Sequence, residues 1–188
     1  MRSKEFTEAI TKPASFAFGR FNPPTIGHQK LINTIQAQPG DHFLFLTHTQ
    51  KANTDPLGFA EKLFFAQQMF KGIKIGDPNV RTIIQAMQKL ESMGYTHITY
   101  VAGSDRVKQF NELLNKYNGS EYQFDNINTV NAGTRDPDSD GVEGVSGSRV
   151  HDMASRGDEI NFLRAIPGDK KLAKMLYNKL RSKLNMPA

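Results

Sequence analysis

Apolar positions along the chain fall into short blocks that alternate between two spacings. Residues 15–18 are a compact apolar run that ends in Gly19-Arg20-Phe21-Asn22-Pro23-Pro24, which reads as a buried strand closed by a turn. Between 26 and 38, Ile26, Leu31, Ile32 and Ile35 recur at helical spacing until Pro39-Gly40 stops the pattern. A second strand is predicted over 42–47, followed by a polar stretch through Asp55-Pro56 and a helix over 59–70. Asn79 is expected to cap a helix whose Val80, Ile83, Ile84, Met87 and Leu90 share one face, with Gly94 as its stop. Residues 97–102 predict a strand that runs into Gly103-Ser104-Asp105, a helix follows to Lys116, and 127–131 predict one more strand. Over 169–184, Leu172, Leu176, Leu180 and Leu184 share one face of a basic amphipathic helix, with Lys170, Lys174 and Arg181 on another.

Strands that alternate with helices predict a doubly wound parallel sheet, a Rossmann-like α/β fold. The expected organisation is one domain over 1–168, with a C-terminal helix over 169–188 packed on it or extending from it. No internal repeat and no interdomain linker interrupts the pattern, and the Asp/Gly-rich stretch 132–144 is the expected mobile loop. In such sheets ligands bind beyond the carboxyl ends of the strands. Three suggestive segments fall there: 19–28, 47–51 and 103–105.

Composition narrows the chemistry. The 188 residues contain no cysteine, which excludes disulfides, thiolate catalysis and cysteine zinc sites. No run approaches the ~18 apolar residues of a membrane span, and the polar start has no signal-peptide core. The expectation is therefore a cytoplasmic protein, in which the sequon at Asn118 carries no weight. The spacings of a P-loop or a dinucleotide fingerprint are missing, and His42, His48 and His97 lack metal-site spacing. His48, directly after a strand end, is a candidate substrate contact.

Gly19-Arg20-Phe21-Asn22-Pro23-Pro24-Thr25-Ile26-Gly27-His28 is the most informative segment. A strand ends, the chain turns, and a helix begins, so backbone amides and the positive helix end meet the expected ligand crevice. Thr25 and His28 add side-chain donors for an oxyanion, and Gly27 is expected to let a phosphate approach the backbone. A donor held toward a phosphate oxygen stabilises charge as it develops, with no need for a base.

The pattern Gly19-x-Phe21-x-Pro23-x-Thr25-x-Gly27-His28 resembles the first signature of the nucleotidylyltransferase superfamily, written (H/T)xGH. That superfamily includes nicotinamide-mononucleotide and pantetheine-phosphate adenylyltransferases and glycerol-3-phosphate cytidylyltransferase. The resemblance is greatest to phage-encoded members, and it extends to Thr47-His48-Thr49-Gln50, to residues 101–106, 132–138 and 141–146. It implies transfer of a nucleoside monophosphate, AMP ahead of CMP, from a triphosphate to a small phosphorylated acceptor. ATP or CTP is the implied substrate, Mg²⁺ comes with it, and pyrophosphate leaves. By the same resemblance Thr25 and His28 contact the triphosphate, with His28 at the α-phosphate. Gly19, Arg20, Phe21, Asn22, Gly27, Ser146, Ser148 and His151 are expected around the nucleotide. Lys51, Ser104 and Asp105 join His48 around the acceptor, Asp105 also being placed to cap the following helix.

One departure stands out. The second signature, Ser-x-Thr-x-x-Arg, is here Ser146-Gly147-Ser148-Arg149-Val150-His151, so histidine stands where an arginine meets the β- and γ-phosphates. Arg149 is two residues earlier, about 200° away around a helix. Histidine lacks the guanidinium fork. Either His151 suffices, or Lys51, Arg20 or Arg135 supplies the charge, or the chain is a nucleotide-binding or assembly protein, such as a phage structural component of the virion, with weakened catalysis. On this reading His151→Arg is expected to raise triphosphate affinity. Asp136-Pro137-Asp138-Ser139-Asp140-Gly141 imitates half a calcium loop, but Gly147 stands where the bidentate glutamate belongs, and a solvated loop or lid fits better.

Net charge is +5. From Arg164 onward seven Lys and Arg face a single acid, Asp169, for a net +6, while the remaining 17 basic and 18 acidic groups net −1. The excess belongs to the last helix. A terminal helix docking its leucines, or a contact with nucleic acid or a protein partner through 169–184, are the two expectations.

Overall fold

The computed structural model describes residues 10–133 and 145–184. Five strands, β1 (Pro13–Gly19), β2 (Asp41–Leu46), β3 (Lys74–Ile75), β4 (His97–Ala102) and β5 (Asn126–Asn131), form one parallel sheet in the order β3-β2-β1-β4-β5. The helices are α1 (Ile26–Gln36), α2 (Phe59–Met69), α3 (Ile83–Ser92), α4 (Val107–Lys116), α5 (Gly147–Arg156), α6 (Glu159–Ala165) and α7 (Lys170–Lys183). This is a Rossmann-like α/β fold, as the alternating pattern predicts.

Alternation within the strands divides the core in two. Ala14 and Phe16 of β1, Phe43 and Phe45 of β2, and Ile98 and Tyr100 of β4 pack against Met87 and Leu90 of α3 and Leu114 of α4. Ala17, Leu44, Leu46 and Val101 point the other way, toward Ile32 and Ile35 of α1, Phe65 of α2 and the three C-terminal helices. Ser15 is the polar exception on that second face, and its hydroxyl donates to the Ile35 carbonyl at 3.0 Å. Leu172, Leu176 and Leu180 of α7 are buried in the same cluster.

The helix after β3 starts later than the sequence predicts. Thr82, not Asn79, is its cap, and the Thr82 hydroxyl accepts from the Gln85 N–H at 3.1 Å. Asn79 is held instead in a local turn, its N–H donating to the Asp77 carboxylate at 2.8 Å. Val80 is buried without being helical.

The chain leaves β1 toward β2 on one side, and β4 pairs with β1 on the other. That reversal is the switch point at which open α/β sheets leave a crevice beyond their carboxyl ends.

Candidate active site

A cleft of about 500 Å³ opens at that position, lined by the ends of β1 (Gly19), β4 (Ala102) and the residue following β2 (Thr47). Its best-defined feature is His28, three residues after the α1 cap Thr25. The backbone N–H of Thr25 donates to His28 Nδ1 at 2.9 Å. A ring nitrogen that accepts carries no proton, so the imidazole is neutral with its hydrogen on Nε2. Thr25 Oγ1 also lies 3.0 Å from Nδ1, but its single proton goes to the Val145 carbonyl at 2.8 Å. Thr25 is fully buried and does not line the cleft. It sets the orientation and tautomer of His28.

Phe21 completes the cradle. Its ring lies over the imidazole with centroids 4.2 Å apart and meets Phe70 edge-on. The backbone of Phe21 has φ of 46°, a left-handed conformation that a side chain of this size adopts only where its surroundings hold it. The buried ring, wedged between His28 and Phe70, supplies that hold.

The α5 segment docks against this loop. A Cβ at Gly27 would stand 2.8 Å from the Val145 carbonyl oxygen. Close approach of residue 145 therefore accounts for the glycine, which does not line the cleft. At the start of α5, Ser146 accepts from the Arg149 N–H at 3.3 Å. Ser146, Gly147 and Ser148 reach the cleft, so α1 and α5 begin side by side on it.

The wall beside them is built around Asn22 and Asp55. The Asn22 amide donates to the Leu57 carbonyl at 2.9 Å and accepts from the Leu57 N–H at 3.0 Å. Asp55, buried, meets the exposed Arg20 guanidinium at 3.7 Å. Lys62 of α2 is fully buried and donates to the Thr47 carbonyl at 2.5 Å and the Thr47 hydroxyl at 3.1 Å. Burial pulls its pKa down to about 8, against the pull of the Asp55 charge. His151 is buried too and does not line the cleft. Its Nε2 has no hydrogen-bond partner among the described residues, and burial lowers its pKa. Burial thus disfavours the charged form that a phosphate contact would need.

The remaining sequence candidates are scattered. Gly19, Arg20, Phe21, Asn22 and Asp105 line the cleft; His48, Lys51 and Ser104 do not. His48 stacks on Phe59 at 4.0 Å, and burial lowers its pKa, with Arg81 adding to the effect. Lys51 is tied to Asp55 by two backbone hydrogen bonds of 2.9 Å. Asp105 caps nothing, because α4 begins after Arg106. Arg135 and the acidic run 136–141 lie outside the described residues. Among the described residues no cluster of three or more His, Asp or Glu is arranged to hold a metal.

Sequence reasoning placed segment 47–51, with Thr47 and Thr49, at the crevice, but it missed Thr54, Asp55 and Arg106 on the polar side of the cleft, and Phe18, Ile83, Tyr100 and Phe110 on its apolar side. Phe18 and Tyr100 lie near strand ends, which was the available signal, whereas Thr54 and Asp55 reach the cleft from a loop and Ile83 and Phe110 from helices. Tyr100 stands with its hydroxyl toward the Phe18 carbonyl at 3.4 Å, and burial raises its pKa.

No protein-family model and no curated protein matches the chain. Among solved structures, its fold is similar to Plasmodium falciparum nicotinic acid mononucleotide adenylyltransferase, complexed with NaAD in one structure and with APC in another. The TM-scores are 0.56 and 0.54, at 15% sequence identity, and each match covers 89% of this chain and 96% of that one. The similarity is thus to a member of the nucleotidylyltransferase superfamily, and at this identity it establishes the fold. Among the described residues no helix is long and apolar enough to cross a membrane.

Proposed function

We propose that the protein is a nucleotidylyltransferase that moves a nucleoside monophosphate, AMP in preference to CMP, from a magnesium-bound triphosphate to a small phosphorylated acceptor. The observation that carries this reading is His28: a neutral imidazole on the cleft, with Nδ1 engaged by the Thr25 N–H so that Nε2 is the donor. An acceptor phosphate oxygen bonds to the α-phosphorus, the bond between the α-phosphorus and the oxygen bridging it to the β-phosphorus breaks, and pyrophosphate leaves carrying that oxygen. No enzyme nucleophile is required, and positioning with charge stabilisation does the catalytic work. In this reading the His28 Nε2–H meets the α-phosphate. The hydroxyls of Ser146 and Ser148 and the first amides of α5 receive the outer phosphates, and Arg20 supplies the cation that His151 does not. The apolar side formed by Phe18, Ile83, Tyr100 and Phe110 suits the body of the acceptor.

The test is pyrophosphate release from each nucleoside triphosphate with a panel of phosphorylated acceptors. His28→Ala is expected to lower turnover about 10²–10³-fold, the usual effect of losing one donor to a developing charge. Turnover unchanged in that variant overturns the role given to His28.

A second reading has its own support. The buried, uncharged His151 stands where the superfamily signature carries a cation, which favours a nucleotide-binding or assembly protein that kept the fold. Tight triphosphate binding with no pyrophosphate from any acceptor would decide for it.

A further inference from the structure

Behind the cleft wall lies a group that the proposed reaction leaves unused. Lys62 is fully buried on α2, between core residues, and both of its hydrogen bonds go to a single residue, Thr47. Thr47 in turn donates its backbone N–H to the Gly19 carbonyl at 2.9 Å, and both Thr47 and Gly19 line the cleft. Apolar side chains of similar volume ordinarily fill such a position at least as stably as a charge does. The ammonium therefore calls for a reason, and Asp55 provides one. That carboxylate is buried in the wall of a cleft read here as binding an oligophosphate, which it would repel. It also holds Arg20, an exposed cation at the site, at 3.7 Å. The Asp55 carboxylate favours the Lys62 ammonium, and the Arg20 guanidinium opposes it.

We propose that Lys62 is a positioning residue that offsets the Asp55 charge from inside the wall, fixes Thr47, and so leaves Arg20 able to turn toward an oligophosphate in the cleft. The proposal deepens the nucleotide-transfer reading and rests on it for the identity of the anion. With Lys62 charged, the three groups carry a net positive charge; without it, Asp55 and Arg20 neutralise each other and this wall of the cleft adds no attraction for a polyanion.

Inorganic tripolyphosphate is the probe, because its binding needs neither base nor acceptor. Affinity is measured by titration calorimetry at neutral pH and low salt, with circular dichroism and thermal melts to establish folding. Lys62→Met is expected to weaken binding about tenfold or more, and Lys62→Arg to retain it. The decisive variant is Lys62→Met with Asp55→Asn, which is expected to return to within about threefold of wild type, since removing the acid removes what the lysine offsets. A purely structural lysine predicts the opposite: the double variant as weak as Lys62→Met or weaker. Should Lys62→Met fail to fold, Asp55→Asn alone is expected to tighten binding, and unchanged affinity there overturns the proposal. A wild-type protein that binds no tripolyphosphate also overturns it, whereas pyrophosphate release from triphosphates decides the proposed reaction separately.

Discussion

The starts of α1 and α5 stand next to each other at the cleft, yet they are finished differently. At α1 a buried threonine, a stacked phenylalanine and a backbone N–H converge on one histidine and fix its tautomer. At α5 two serine hydroxyls are in place, but the side chain one turn further on is a buried imidazole that does not line the cleft. The first helix start is a positioned donor; the second is a cradle without a cation of its own. On the proposed reading, charge for an oligophosphate comes in part from the wall between β1 and α2, where Arg20 pairs with Asp55 and Lys62 is buried. A signature carried by one segment can be replaced in part by residues from another, provided the cleft brings them together.

Gly27→Ala tests whether the two helix starts depend on each other, and it carries the largest expected effect on stability. The added Cβ meets a carbonyl oxygen at 2.8 Å, backbone that cannot swing aside as a side chain would. A loss of about 1–3 kcal/mol is expected from such overpacking, with a fall of about 2–4 °C in Tm for each kcal/mol at this chain length. Turnover should fall as well, because moving residue 145 removes the acceptor of the Thr25 hydroxyl. Unchanged melting would mean that α5 docks independently of α1.

His151→Arg has a smaller effect and one that departs from the sequence-based expectation. Because residue 151 is buried and feels the charges of Asp55 and Arg20, a guanidinium there is expected to pair with Asp55 and to leave triphosphate affinity no higher than in wild type. Calorimetric titration with a triphosphate checks this, and a clear gain in affinity would return residue 151 to the cleft. The smallest effect is on acid stability. The folded His151 has a lowered pKa, so the unfolded chain takes up its proton first. Its contribution is fully present above about pH 6.5 and is lost as pH falls from there through the folded value. His151→Leu should flatten that part of the profile, measured by denaturant unfolding from pH 7.5 to 5, leaving the share that His48 contributes in the same direction.

Period and punctuation made most of the fold legible. The β1–α1 unit, β2, β4 and α7 follow their apolar spacing closely. The two-residue β3 is too short to leave a periodic trace, and α6, with only Phe162 and Ala165 buried, offers too few positions to show a stripe. The α3 cap was misplaced because Asp77 captures the Asn79 N–H, a local competition between two good capping residues. At the site, His28 was legible because its chemistry is local: a cap, a turn and a ring within one segment. The burial of His151 and Lys62 was not, since both depend on where α5 and α2 dock. A lysine in a helical sequence reads as solvated until its neighbours are known.

The basic excess of the last helix has a similar resolution. Lys174 meets Glu159 at 2.5 Å, Lys179 and Lys183 reach Glu61 at 3.4 and 3.3 Å, and Arg181 donates to the Ala154 carbonyl at 2.6 Å. Glu61 does double duty, since its other oxygen accepts from the Gly58 N–H at the start of α2 at 2.9 Å. One carboxylate thereby fastens the beginning of one helix and the end of another. Four basic side chains of the helix are thus held against the body like the charged half of a clasp.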